Sequence, residues 1–438
     1  MMTSRPVTFF GFATLVYAFS SSFLYRIVPW LPGSIWASTV VYSVGLVLFT
    51  FGKSRGTTFG LLGALVPITV VLGALNVLLS TRPVLSLAKI LGWIAVVVLA
   101  RDLARHSSPL DYRRVQRFMP FMLASVGGFM LLQGAEDADL LFAMRHMAST
   151  YLGLAMVAGL FSPRLIWKCV WIVVGVVGVY FSASRGAFLA LPAAVAGYAV
   201  YLMLKKQVKD AVALLVLTGL VGTVFLTPSL RDAFFAKKTR RYDTGYASLV
   251  GGAEQRLFLT EEAWKQALAN PLGTGAGRTY TIVYGGMRLG AHNGYLDTLA
   301  QLGFPSTILL FAWYATLVLK VLRNRGFPVR DKALFMTYLV VLHVRALGES
   351  YSVFDAASFF VLLLWYMTFY GAYDARGAVT RQVVSSARSR LGSAQRFRVR
   401  PAMPLVRGGG HLQRTRAGME HTGQPSQGSA SRSAGDRA

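Results

Sequence analysis

The sequence predicts an all-α polytopic membrane protein of about twelve transmembrane helices, with one long polar loop between the ninth and the tenth. Three observations predict it. Hydrophobic residues fill 54% of the 438 positions and charged residues only 14%, apolar runs recur along most of the chain, and a single long polar stretch, 228–295, interrupts them. A soluble domain around one buried core does not show this pattern.

Runs of about 17–22 apolar residues cross a bilayer core of roughly 30 Å as helix. They fall near 7–25, 35–51, 58–79, 84–100, 118–133, 147–161, 165–181, 187–204, 211–227, 303–319, 333–347 and 354–371, three of them (118–133, 147–161 and 333–347) shorter than that ideal. The first follows Arg5 and has no small-residue cleavage site behind it, so it reads as a retained span and not a removed signal.

Lys and Arg close to span ends stay on the cytoplasmic side, which sets the orientation. One set of alternate loops carries Lys53 and Arg55, then Arg101, Arg105, Arg113, Arg114 and Arg117, then Arg164, then Lys205, Lys206 and Lys209, then Lys320 to Lys332. The other set has Arg26, Arg82 and the acidic residues Glu136, Asp137 and Asp139. Both termini are therefore expected inside and the 228–295 loop outside, in the periplasm. Residues 1–372 form the transmembrane domain. Residues 373–438, with twelve arginines against Asp374, Glu420 and Asp436, read as a disordered basic cytoplasmic tail, either solvated or resting on anionic lipids.

The net charge of +27 sits in short loops and in this tail, where the membrane's charge rules account for it, so nucleic acid is not expected as a partner. The single cysteine, Cys169, excludes an internal disulfide and is expected to pack among its apolar neighbours.

The long loop holds nine Lys or Arg against five acids, and a basic surface kept on the unfavoured side suggests an anionic ligand. Within it, Leu257, Leu259, Ala263, Trp264, Ala267 and Leu268 have helical spacing and predict an amphipathic helix over 253–269, stopped by Asn270-Pro271. Gly273-Thr274-Gly275-Ala276-Gly277 follows as a flexible turn without the Lys-Ser/Thr of a nucleotide-binding loop. Helix restarts over 292–302.

His292 lies in a polar, aromatic cluster at a predicted membrane boundary. A neutral imidazole there suits removal of a proton from a sugar hydroxyl, and an interfacial histidine with a backbone partner is the competing reading. Ser182-Ala183-Ser184-Arg185-Gly186 lies on the same expected side. An arginine at a span head is costly unless it faces a partner, and its fork suits a diphosphate; a snorkelling arginine is the alternative. Arg256 opens the amphipathic helix, and Arg278 and Arg288 flank the glycine turn. Arg345 and Glu349, four apart, are read first as an ion pair and second as site-lining. His343 is weaker, with Arg345 its only polar neighbour in sequence. No His/Asp/Glu cluster has metal-ligand spacing.

In order, Ser182-Ala183-Ser184-Arg185-Gly186, Arg256-Leu257 before Trp264, Asn270-Pro271-Leu272-Gly273-Thr274-Gly275, His292-Asn293-Gly294-Tyr295-Leu296 and Leu302-Gly303 resemble the bacterial O-antigen ligase and polymerase family over roughly residues 145–310. The resemblance implies an inner-membrane glycosyltransferase, working on the periplasmic face without metal or other cofactor. It would pass a glycan from an undecaprenyl-diphosphate carrier to a sugar hydroxyl of a lipid A core or a growing polysaccharide. It assigns Arg185 and Arg256 to the diphosphate and His292 to the acceptor. Ser184, Asn293, Arg278, Arg288, Arg345 and Glu349 are candidates to line the site. Phe304-Pro305-Ser306 departs from the family, which often has a second small glycine there. A lipid-linked glycan flippase, with charges along a mid-membrane path, and a basic-tailed membrane scaffold are the other readings.

Overall fold

In the computed structural model the described residues are 5–20, 33–51, 76–80, 82–136, 138–182, 185–226, 249–276, 282–284, 287–348 and 358–372. They are mostly helical. The helices are α1 (Arg5–Phe19), α2 (Gly33–Gly45, running into a π-helical turn, Leu46–Phe51), α3 (Pro83–His106), α4 (Pro109–Glu136), α5 (Ala138–Leu160) and α6 (Leu165–Ser182). Then come α7 (Arg185–Leu204), α8 (Val208–Leu226), α9 (Leu249–Ala269), α10 (Gly294–Arg323), α11 (Val329–Ala346) and α12 (Phe359–Ala372). Two three-residue strands, β1 (Ile282–Tyr284) and β2 (Met287–Leu289), pair antiparallel between α9 and α10.

Three of these helices, Pro83–His106, Pro109–Leu132 and Gly294–Arg323, are long and apolar enough to cross a membrane, and five shorter apolar helices accompany them. The chain is a helical membrane protein with several spans. Its surface agrees: Leu15, Val84, Leu132, Leu165, Ile166 and Leu204 stand exposed on helix flanks, where a soluble protein would keep its apolar side chains inside. Among the described residues the predicted spans fall on helix; of 58–79 only 76–79 is described, of 7–25 only 7–20, and at 354–371 helix begins at Phe359.

α12 is apolar on every side and buried along its length, so it occupies the middle of the bundle, packed on α3 and α10. α4, α5 and α6 form one continuous layer, and α11 lies across α7 and α5. Gly159 lets α5 and α6 approach closely, because a Cβ there would meet the Trp171 ring at 2.1 Å.

Three expectations are corrected here. Cys169 does not pack inside; it is exposed on the apolar flank of α6, beside Leu165, Ile166 and Trp167. Arg101 is not a loop cation but a buried residue of α3, whose Nε donates to the Asp102 carboxylate at 2.9 Å. The loop before α10 contains the β1–β2 hairpin as well as helix. The tail from 373 and the loop from 228 to 248 lie outside the described residues.

Candidate functional site

The site is built around a break in α10. Gly303 has φ 76° and ψ 169°, which no residue in a continuous helix adopts, and Pro305 lacks the N–H that would reach the carbonyl of Gln301. Three backbone groups are thereby released, and each finds a partner in the turn after α9. Phe304 N donates to Pro271 O at 2.9 Å, Thr274 N donates to Ala300 O at 3.0 Å, and Gly275 N donates to Gln301 O at 3.0 Å. Asn76 completes the set: its Nδ2 donates to Gln301 O at 2.7 Å, and its Oδ1 accepts from Ala276 N at 2.8 Å.

The glycine segment is therefore a docked strap and not a flexible turn. Gly273 and Gly303 face each other backbone to backbone; a Cβ on Gly303 would stand 2.3 Å from Leu272 C, and one on Gly273 2.4 Å from Gln301 O. Pro305, which reads in the sequence as a departure from the family pattern, is one cause of the break around which the site is arranged.

The break folds the first part of α10 back. Tyr295 and Phe311 are sixteen residues apart, about 24 Å along a straight helix, yet their rings lie 5.7 Å apart. The start of α10 is thus level with the end of α11, where the Tyr295 hydroxyl meets Nδ1 of His343. α9 lies against this folded-back part through Leu259, Ala263 and Ala267, which meet Ala291, Ala300 and Ile282 in a small apolar core of their own.

His292 sits at the tip. Its φ of 48° is left-handed, a conformation costing on the order of 1–3 kcal/mol for a non-glycine residue unless its surroundings impose it. They do. Asn293 caps α10, its Oδ1 accepting from Tyr295 N at 3.0 Å and Leu296 N at 3.2 Å, while buried Asp297 accepts from Ala291 N at 3.2 Å. The residues on both sides of His292 are fixed, so the imidazole is presented from a rigid corner. The Asn293 side-chain oxygen is thus engaged by the helix backbone.

Arg256 projects from the same face of α9 as Ala263, half-buried, and reaches the end of α11: the position a Cβ on Gly348 would take is 3.1 Å from its Nη1. Arg345 is wholly buried. Its guanidinium donates to Thr150 Oγ1 at 3.0 Å, Ser149 Oγ at 3.1 Å and His146 O at 2.8 Å, all on α5. Arg185 is the first residue of α7, and Arg288 stands in β2, paired through the backbone with Val283. Ser184, Arg278 and Glu349 lie outside the described residues, and with Glu349 the expected Arg345–Glu349 pair.

The structure thus brings His292, Asn293 and Arg256 to one region, where α9, the start of α10 and the end of α11 meet. Residues 169–311 match the family model for O-antigen ligase, a segment containing Arg185, Arg256, His292 and the broken helix. Over these residues the chain is similar to the O-antigen ligase family. No curated protein and no solved structure matches it.

Four contributors escape the sequence reading. Asn76 lies before the segment that matches the O-antigen ligase model, and its signal is a lone amide at the end of an apolar run. Ser149 and Thr150, which hold Arg345, look like ordinary small residues of a span. His343 has a polar partner after all, Tyr295, which no spacing rule places beside it across 48 residues.

Proposed function

We propose that the protein is an inner-membrane glycosyltransferase of the O-antigen ligase or polymerase type, with about twelve spans, both termini cytoplasmic and the site on the periplasmic face. It transfers a glycan from undecaprenyl diphosphate to a sugar hydroxyl of a lipid A core or a growing polysaccharide. The observation that carries this reading is the rigid left-handed corner presenting His292, inside the segment that matches the O-antigen ligase model and on the same folded-back unit as Arg256.

In this reaction His292 takes the proton of the acceptor hydroxyl as that oxygen attacks the anomeric carbon. The bond to the carrier's phosphate oxygen breaks, and the diphosphate leaves with the electron pair, most simply with inversion. Arg185 and Arg256 hold the leaving group. A unit charge pair at 4 Å contributes about 4 kcal/mol at an effective dielectric of about 20, so cations fixed in place suffice to favour departure without a metal.

A flippase would need charges along an open path. Arg345 instead is sealed against α5, and no described residue favours that reading.

The test is glycan length and lipid A attachment in cells carrying His292→Ala or Arg185→Ala at the wild-type protein level. The expected result for His292→Ala is a fall of about 10²–10⁴ in transfer rate. Unchanged glycan from both variants overturns the enzyme. Single repeats still attached to the core mark a polymerase, and full-length glycan stranded on the carrier marks a ligase.

A further inference from the structure

One contact in this region that the reaction above leaves unused joins the Tyr295 hydroxyl to Nδ1 of His343. Both side chains are half-buried, and one aromatic wall fixes both. The imidazole lies over the Tyr295 ring at 5.7 Å, the Tyr314 ring meets the imidazole edge-on at 6.4 Å, and Phe311 flanks Tyr295. A hydroxyl on a ring packed among these three others is preorganised, and its place is telling. Tyr295 follows His292 by three residues in the first turn of α10, and His343 is one turn of α11 before Leu347 and Gly348, the end that Arg256 reaches. The dyad therefore joins the helix turn that follows the proposed base to the helix whose end the proposed diphosphate cation reaches.

We propose that Tyr295 is a further binding residue, a neutral donor to the carrier's diphosphate, and that His343 is its positioning residue. This rests on the glycosyltransferase reading of the same site. A phenol has one proton and can serve one acceptor with it. When neutral His343 carries its proton on Nδ1, that N–H donates to the Tyr295 oxygen and frees the phenolic O–H to donate to a phosphate oxygen. With Arg256 and buried Arg345 close by, a neutral donor adds a hydrogen bond to the anion without adding a third charge to a crowded cationic end. The arrangement also explains why α10 folds back: without the break at Gly303, Tyr295 would stand about 24 Å along the helix from Phe311, beyond reach of His343.

The test uses purified full-length protein and measures the Kd for undecaprenyl diphosphate, with undecaprenyl monophosphate as comparison. Tyr295→Phe keeps the ring and removes the donor, and it is expected to weaken diphosphate binding about tenfold, the contribution of one hydrogen bond to a charged group. His343→Leu produces a similar loss, the double variant is no weaker than either single one, and His343→Asn, whose amide N–H stands where Nδ1–H does, recovers most of the affinity. Melting temperatures of Tyr295→Phe and wild type are expected to agree, which separates lost binding from lost fold. Wild-type affinity in Tyr295→Phe, or losses that add in the double variant, overturn the dyad. His292→Ala is measured for transfer in parallel: if it is inactive while Tyr295→Phe binds normally, the dyad fails alone, whereas full transfer by His292→Ala removes the reaction itself.

Discussion

Two arginines near the end of α11 occupy opposite environments. Arg345 is 0% exposed and spreads its guanidinium over two hydroxyls and a carbonyl of α5. Arg256 comes from another helix, stays half-exposed, and lies against the carbonyl end of α11 at Gly348. A buried cation is tolerated only when its donors are satisfied, so the neighbours of Arg345 are taken up with holding it. Arg256 keeps an open side on which an anion can compete with water. The difference separates a cation that holds helices together from one proposed to hold a ligand, although residue type and sequence position make the two look alike.

The largest expected effect is at Arg345. Arg345→Ala empties a fully packed site between α5 and α11 and is expected to cost about 2–5 kcal/mol, seen as lower protein level and a melting temperature lower by several degrees. Arg345→Met sharpens the comparison by restoring bulk without charge. Ser149 and Thr150 already donate to His146 O at 2.8 and 2.9 Å, so their hydroxyls are not orphaned by the change. A folded, active Arg345→Met variant is the expected outcome; a folded but inactive one would place Arg345 with Arg256 among the ligand cations and end the distinction.

Next in size is Gly303→Ala. The left-handed φ of 76° alone costs on the order of 1–3 kcal/mol for alanine. The added methyl would also push Leu272 and Gly273 away, so the strap loses its seat on the broken helix. Transfer activity is expected to fall further than stability, because α10 ahead of the break carries Tyr295 and follows directly on His292, while the bundle behind it is untouched. A Gly303→Ala protein that is fully active would mean that the fold-back does not position the site.

These cases show how much the sequence discloses. Helices that bury one stripe or are apolar throughout are legible from periodicity, as α12 and α9 are, and so is the end of α9 at Asn270-Pro271. His292, Arg256 and Arg185 are singled out because an ordered set of motifs resembles a family, and their roles stay proposals. Contacts between distant segments are not. The amide of Asn76 bonds a carbonyl 225 residues away, and Tyr295 meets His343 only because a glycine with positive φ reverses the helix. Neither leaves a local pattern, since hydrogen-bond partners supplied by another element carry no spacing rule. Pro305 shows the reverse: local reading marks it as a departure from the family, while backbone accounting makes it a reason why Gln301 O is free to accept from Gly275 and Asn76.

The smallest effect, and the most direct test of the contrast, is Arg256→Lys. Lysine keeps the charge but replaces a planar fork by a point charge that cannot donate two parallel bonds to a phosphate. Because Arg256 is half-exposed and ends beside a helix terminus, its replacement is expected to leave the melting temperature within about 1 °C, as surface changes usually do. Undecaprenyl diphosphate binding should weaken about tenfold, with a smaller loss for the monophosphate, which offers fewer oxygens to a fork. A drop in stability approaching that of Arg345→Ala, with affinity unchanged, would show that the contact with Gly348 is what Arg256 is for, and that both cations serve to tie helices to α11.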